Sequence, residues 1–187
     1  MKALYLTSCL GLNAIDRLAY AAATVEIDEN NGASAGTLTH GITNSNMSPT
    51  DEVNTDPVAH PVVPGANTME KYQKIHVSNI GTSSKIDNLQ VWRTGALGGA
   101  AVHKCNLKTS AYGGAPTYAQ PVTTASSYSE AMPTSDPGAV NLGIGGALAG
   151  ALTAAGSSDY LVHQIQTNAA DTAGSTSTMN YQYDETA

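Results

Sequence analysis

Runs of residues in which apolar and polar side chains alternate are the feature that most constrains the fold of this chain. Met179, Tyr181 and Tyr183 alternate in this way near the C-terminus, and similar short runs recur through residues 69–187. A period of two places the apolar side chains on one face of a β-strand. Glycine, proline, serine and threonine fill the intervals, as turns between strands require. The pattern predicts an all-β fold, an antiparallel β-sandwich of jelly-roll-like type.

A first hairpin is predicted early in the chain. Val25 and Ile27 alternate with polar neighbours, and Asn31-Gly32 follows them. This dipeptide tolerates the positive φ angles of a tight turn. Residues 37–39 are therefore the expected return strand.

A second hairpin is predicted over residues 72–93, with its turn at residues 81–84. The apolar residues change parity between Ile86 and Leu89, so we expect a β-bulge at the two residues between them. Further strands are expected over residues 102–108, 118–124, 140–144, 160–167 and 179–183.

Composition divides the chain into three parts. Residues 1–22 are interpreted as an extended or partly helical N-terminal arm, residues 23–68 as a β-hairpin and a connector, and residues 69–187 as the β-sandwich domain. The connector is residues 44–68, and its Pro57, Pro61 and Pro64 lack an amide hydrogen and favour extended backbone in the residues before them. The connector is therefore expected to run over a surface.

The start of the chain loosely imitates a secretion signal. Leu6-Thr7-Ser8-Cys9 resembles a bacterial lipoprotein processing site. Only eight residues precede the cysteine, which are too few for a charged region and an apolar core. We therefore expect neither secretion nor lipidation, and we expect Cys9 and Cys105 to be free thiols, as in a protein assembled in a reducing cytoplasm.

The charge balance excludes two classes of partner. Eight Lys and Arg stand against fifteen Asp and Glu, which gives a formal charge of −7. Binding to nucleic acid needs clustered Lys and Arg to neutralise phosphates, so a nucleic-acid partner is not expected. No apolar run reaches the roughly 18 residues that span a bilayer, so a membrane partner is not expected either. The small, apolar stretch 143–152 is expected to be a tightly packed connection between strands.

No motif typical of catalysis is found in the sequence. It has no Gly-x-Ser-x-Gly nucleophile motif and no phosphate-binding glycine loop. Asp51 and Glu52 are adjacent but lie in the connector, where burial that would raise a carboxyl pKa is not expected. We expect a protein that is not an enzyme, with no catalytic or cofactor-binding residue and no cofactor.

Two weak metal-binding patterns are also set aside. His103 and Cys105 would share one face of a strand, but no second Cys/His pair accompanies them. Residues 28–32 begin like a calcium loop, but Leu38 stands where the loop needs a bidentate acid. We therefore expect no metal site.

Several stretches of the chain resemble structural proteins of tailed-bacteriophage virions. Residues 68–92 are similar to a hairpin that recurs in those proteins, with Glu70-Lys71-Tyr72 near its start and Trp92 at its end. The similarity continues over residues 133–138, 158–162 and 181–185.

This resemblance implies a β-sandwich component of the virion, assembled in the host cytoplasm. Met69 and Gln90 depart from the family pattern, which usually has Phe and often Lys at these positions, but both are strand-face positions. We hypothesise a capsid decoration (cement) protein that binds the head exterior and stabilises contacts between major capsid subunits. Its partners would be the major capsid protein or other virion proteins, and copies of itself, with a trimer favoured because it matches local three-fold axes. The contact residues expected from the arm and the connector are Leu4, Leu6, Leu10, Leu12, Ile15, Leu18, Val58, Val62 and Val63.

Two alternative functions stay open. The first places the chain in the neck, tail or baseplate, where β-sandwich modules also recur. The second is a carbohydrate-binding virion module, because aromatic faces stack on sugar rings. That module would use Trp92 together with Tyr112, Tyr118 and Tyr128.

Overall fold

The computed structural model describes residues 21–33, 35–110, 112–171 and 177–187. Within these ranges the regular secondary structure is all β. The strands are β1 (Thr24–Asn31), β2 (Thr37–Thr39), β3 (Lys71–Asn79), β4 (Lys85–Thr94), β5 (Val102–Cys105), β6 (Glu130–Ala131), β7 (Gly156–Ser157), β8 (Leu161–Gln166) and β9 (Thr178–Thr186).

The strands form two antiparallel sheets. The larger sheet has the order β2-β1-β3-β8-β5-β6, and the short β7 also pairs with β3. The smaller sheet consists of β4 and β9. Every pair is antiparallel, so the predicted all-β, antiparallel class is confirmed.

One apolar core lies between the two sheets. Ile75 and Val77 of β3 belong to the same buried cluster as Ile86, Leu89 and Val91 of β4. Burying a side chain of this size contributes about 1.5–3 kcal/mol of hydrophobic free energy. Two sheets that share a core in this way have the arrangement of a β-sandwich.

The first hairpin is confirmed. β1 pairs with β2 so that Asn30 lies opposite Leu38. The chain turns between them at Gly32, whose φ of 93° is in the left-handed region that glycine adopts without strain.

The second hairpin prediction is wrong, although both of its strands exist. β3 pairs with β1, β7 and β8, whereas β4 pairs with β9 in the other sheet. The turn between them crosses from one sheet to the other at Gly81, where a Cβ would lie 2.1 Å from the Ala21 carbonyl oxygen. Apolar periodicity shows which face of a strand is buried, but it does not show which strand is its hydrogen-bonded neighbour. Here the apolar faces of β3 and β4 meet across the core.

The bulge in β4 is confirmed. Its pairing with β9 shifts register between Asp87 and Gln90, and Asn88 has a positive φ of 52°. The extra residue brings both Ile86 and Leu89 onto the core side, where both are fully buried.

Residues 118–124 do not form the expected strand. The Gln164 side-chain amide donates hydrogen bonds to the carbonyls of Val122 and Thr124, at 3.3 and 2.9 Å. The Asn67 side chain donates another to the Thr123 carbonyl at 3.1 Å. Because side chains satisfy these backbone groups, the segment needs no neighbouring strand.

Residues 140–144 also differ from the expected strand. The side chain of Asn141 accepts a hydrogen bond from the Val91 amide and donates one to the Val91 carbonyl, both at 2.8 Å. The side-chain amide of Asn141 thus makes the two hydrogen bonds to β4 that a peptide group of a neighbouring strand would otherwise make. The predicted strand at 102–108 is shorter than expected, ending at Cys105.

The predicted tight packing at residues 143–152 holds at Gly143 and Gly150, whereas Gly145, Ala147 and Ala149 are exposed. A Cβ on Gly143 would lie 2.6 Å from Asp159 Oδ2, and one on Gly150 would lie 2.4 Å from the Ile144 carbonyl oxygen. Cys105 is fully buried and free, as expected, and burial raises the pKa of its thiol to about 11. Cys9 lies outside the described residues.

Candidate functional site

The connector presents the most exposed large apolar side chains of the described residues. Val58 is 85% exposed and Val63 is 66% exposed, whereas Val62 is half-buried. The predicted contact residues of the arm, Leu4, Leu6, Leu10, Leu12, Ile15 and Leu18, lie outside the described residues.

Hydrogen bonds hold the loop that carries these valines. The Val58 amide donates to Asp56 Oδ1 at 2.8 Å, and the Ala66 amide donates to the Val63 carbonyl at 2.9 Å. The Thr167 hydroxyl, just beyond β8, donates to the Ala66 carbonyl at 2.6 Å and accepts from the Gly65 amide at 2.9 Å. The loop therefore has a defined attachment to the larger sheet.

Trp92 and the tyrosines do not share one surface. Trp92 is half-buried on β4 of the smaller sheet. Tyr118 packs edge-on against Tyr72 of the larger sheet, with 5.0 Å between ring centroids, and donates a 2.6 Å hydrogen bond to the Gly32 carbonyl. Burial raises the pKa of Tyr118 to about 12. The Tyr112 hydroxyl accepts a hydrogen bond from the Asn106 side chain.

An open recess of about 610 Å³ lies beside these rings. Glu70, Tyr72, Val122 and Tyr128 are among the residues that line it. Burial, together with the Glu70 carboxylate, raises the pKa of Tyr128, so its hydroxyl stays protonated at neutral pH. The hydroxyls of Tyr72 and Tyr128 and the carboxylate of Glu70 could therefore make hydrogen bonds to a ligand in this recess.

A buried ion pair lies at one end of the sandwich interior. Lys71 Nζ donates to Glu29 Oε1 at 2.7 Å, and both side chains are fully buried. The same carboxylate accepts hydrogen bonds from the side chains of Gln73 and Ser45, both at 2.9 Å, and from Asn31 at 3.1 Å. The carboxylate is therefore fully satisfied, as a buried charge must be.

Two histidines continue this network toward β5. The Gln73 amide nitrogen donates to Glu29, so its Oε1 accepts the 3.2 Å hydrogen bond from His163 Nε2. His163 Nδ1 is then unprotonated and accepts the 2.7 Å hydrogen bond from His103 Nε2. Burial, with the Lys71 ammonium nearby, lowers the pKa of His163 to about 3, and burial lowers that of His103 well below its usual value.

The chemistry of this interior network is structural. Lys71, Gln73 and His163 are at most 1% exposed, so a substrate in solvent does not reach them. Two neutral histidines and a paired carboxylate can specify one arrangement of β1, β3, β8 and β5.

Two carboxylates and two histidines converge on the outer face of the larger sheet. Glu26 and Asp28 are two residues apart on β1 and therefore point to the same side. His76 of β3 lies directly opposite Glu26 in the sheet, and His40 follows β2. One ligand atom from each of the four residues lies within 4.8 Å of all the others.

The closest atoms of this histidine–carboxylate cluster are the Nδ1 atoms and two carboxylate oxygens. His40 Nδ1 lies 2.8 Å from Asp28 Oδ2 and 3.8 Å from Glu26 Oε1. His76 Nδ1 lies 2.9 Å from Asp28 Oδ2 and 3.0 Å from Glu26 Oε1. Among the described residues, this group of side chains could hold a metal ion.

Sequence reasoning missed the cluster because its members are spread over 51 positions, from residue 26 to residue 76. One local indication was present: Glu26 and Asp28 alternate with the apolar Val25 and Ile27, which puts both acids on the polar face of a predicted strand. The histidines are brought to them only by the pairing of β1 with β2 and β3.

In the part of the chain that the structure describes, no helix is long and apolar enough to cross a membrane. Comparisons with protein-family models, with curated proteins and with solved structures find no match to this chain.

Proposed function

We propose that this chain is a structural protein of a phage virion, a capsid decoration (cement) protein that binds the head exterior and stabilises contacts between major capsid subunits. The observation that supports this proposal most is the pair of exposed valines, Val58 and Val63, on a loop that is anchored to a β-sandwich. The resemblance of residues 68–92 to virion proteins points to a component of a phage particle and leaves its position in the particle open.

The exposed valines are suited to a repeated contact. Each buries apolar surface when a partner covers it, at about 25 cal/mol per Å², so a single copy gains only a modest free energy. An oligomer that attaches through several copies at once gains affinity from multivalency. We therefore propose a homo-oligomer, with a trimer favoured for the local three-fold axes of a head.

The charge of the chain does not suit a contact with DNA. No Lys or Arg occurs between Arg17 and Lys71, whereas seven Asp and Glu residues do. This region is acidic and repels phosphates, so a contact made through its exposed valines does not depend on attraction of a basic surface to DNA. Jelly-roll-like strand order and the N-terminal arm are parts of the same proposal.

Substituting the exposed valines tests the proposed contact. The double variant Val58→Asp/Val63→Asp should stay folded, because both side chains are exposed, and should bind heads that lack this protein at least about tenfold more weakly, since each aspartate would be desolvated at the interface. Val122→Asp is the matched control, because Val122 is a 43% exposed valine on another loop. Unchanged binding of the double variant would remove the connector from the contact.

Removing the arm tests the second predicted contact. Deletion of residues 1–20 keeps Ala21, whose carbonyl accepts a 2.9 Å hydrogen bond from the Thr82 amide, and Ala23, whose amide donates to Glu185 Oε1 at 2.7 Å. The shortened protein should keep the circular dichroism of the sandwich and lose head binding. Saturation of heads by the shortened protein would show that the arm is not needed.

A position in the neck, tail or baseplate is the alternative within the same class. An axial ring is a closed cyclic assembly and would hold about six to twelve copies, whereas a decorated head would hold hundreds. The number of copies per particle separates the two.

A further inference from the structure

We propose that Glu26, Asp28, His40 and His76 bind one first-row divalent metal ion, with Zn²⁺ preferred, on the outer face of the larger sheet. The proposal rests on the geometry of this histidine–carboxylate cluster and is independent of the virion role.

The spacing of the four ligand atoms suits a tetrahedral ion. Zn²⁺ binds imidazole nitrogen and carboxylate oxygen at about 2.0–2.1 Å, which places neighbouring ligand atoms of a tetrahedral site about 3.3 Å apart. The four nitrogen-to-oxygen distances in the cluster run from 2.8 to 3.8 Å. Small adjustments of these side chains, of which His40 is the most exposed, therefore suffice to enclose an ion.

The hydrogen bonding of His76 adds a second observation. Its Nδ1 is buried and lies within 3.0 Å of one oxygen of Glu26 and one of Asp28, yet it makes no hydrogen bond to either. A buried imidazole nitrogen usually has a partner. Because no hydrogen bond engages this nitrogen, it is available to coordinate an ion placed between the two carboxylate oxygens.

The backbone around the cluster fixes the orientation of its acids. Asp28 is only 1% exposed, and its Oδ1 accepts a 3.3 Å hydrogen bond from the Gly41 amide, which leaves Oδ2 directed toward the two histidines. Gly41 has a φ of 61°, and a Cβ there would lie 3.2 Å from Glu26 Oε2. Outer hydrogen bonds of this kind orient the ligands of protein metal sites.

The donor set selects the class of metal. Two imidazole nitrogens and two carboxylate oxygens suit Zn²⁺ and its first-row neighbours, whereas Ca²⁺ takes six to eight oxygen ligands and Mg²⁺ retains several waters. Two carboxylates also balance the charge of a divalent ion. The bound ion would join β1 and β3 to the segment that follows the edge strand β2.

Titration calorimetry with Zn²⁺ on the chelator-treated full chain tests the proposal. We expect one Zn²⁺ per chain, and we expect His40→Ala to raise the Kd by at least about tenfold. His40 is 56% exposed, so its removal leaves the fold intact. His60→Ala, a histidine of the connector, and Cys9→Ser, which removes a thiol that could capture zinc, are the controls and should leave the Kd unchanged.

Co²⁺ supplies a readout that a merely structural role of these side chains would not produce. The wild-type chain should develop the intense visible absorption of tetrahedral Co²⁺, and the His40→Ala and Asp28→Asn variants should lose it. The proposal is overturned if Zn²⁺ does not bind, if His40→Ala binds it as tightly as the wild type, or if Mg²⁺ and Ca²⁺ compete equally.

Discussion

The Glu29–Lys71 pair places two charged groups inside the sandwich, in positions that apolar residues usually occupy. Desolvating the two ions opposes folding, and the carboxylate needs all of its hydrogen bonds to offset this. It receives them from Lys71, Gln73, Ser45 and Asn31. We expect the pair to contribute more to the register of β1 and β3 than to net stability.

Replacing the lysine alone should be strongly destabilising. In Lys71→Met the Glu29 carboxylate stays buried without its counter-charge, so we expect the free energy of unfolding to fall by about 3–5 kcal/mol, as measured by urea denaturation. The control is Lys108→Met. Lys108 Nζ lies 3.7 Å from Glu130 Oε1, and both side chains are more than a third exposed. Its replacement should lower the free energy of unfolding by less than about 1 kcal/mol. Equal effects of the two variants would contradict the network described here.

The buried histidines should make stability depend on pH. The pKa of His163 falls to about 3 in the folded chain, against about 6.5 in an unfolded one. Below pH 6.5 the unfolded state therefore binds more protons, and stability is lost as the pH falls toward 3. Each such histidine contributes a slope of about 1 kcal/mol per pH unit well below pH 6.5.

His163→Gln tests this slope. Urea denaturation at pH 7, 6 and 5 should show that the loss of stability on acidification is smaller in the variant by about 1 kcal/mol per pH unit. The reference variant is His60→Gln, a histidine of the connector, which should keep the wild-type slope. A slope in His163→Gln equal to that of the wild type would show that folding does not lower the pKa of His163.

At the scale of the elements, local sequence patterns predicted where the strands lie better than they predicted which strands pair with each other. Alternation located β1, β3, β4, β8 and β9, and the parity change at Ile86 and Leu89 located a bulge. The pairing of β4 with β9 was not predictable, because it joins residues 84 to 101 positions apart. The alternation of apolar and polar residues does not show which strand pairs with which. The contact of the Asn141 side chain with the backbone of Val91 was not predictable either, because a single side-chain contact produces no periodic pattern in the sequence.

The bulge supplies a test at this scale. Asn88 has a positive φ of 52°, which asparagine tolerates and a β-branched residue does not. Asn88→Val should lower the free energy of unfolding by about 1–2 kcal/mol, while Asn88→Gly should be nearly neutral because glycine adopts this φ freely. If both variants unfolded at the same urea concentration, backbone strain would not be the reason for asparagine here.

For the whole molecule, the class of fold was predictable and the candidate metal site was not. Composition and alternation are summed over the entire chain, so the all-β class does not depend on any single element. The histidine–carboxylate cluster depends on the order of β2, β1 and β3, which brings His40 and His76 to Glu26 and Asp28. The turn at Asn31-Gly32 predicts the pairing of β1 with β2, but the pairing of β1 with β3 is a tertiary property that local sequence does not encode.

The central claim is that this chain is a multi-copy component of a phage particle. Quantitative mass spectrometry of purified particles, with isotope-labelled peptides of this chain and of the major capsid protein, tests it most directly. We expect hundreds of copies per particle, in a fixed ratio to the major capsid protein. About six to twelve copies would place the chain in an axial ring, and its absence from purified particles would contradict the proposed virion role.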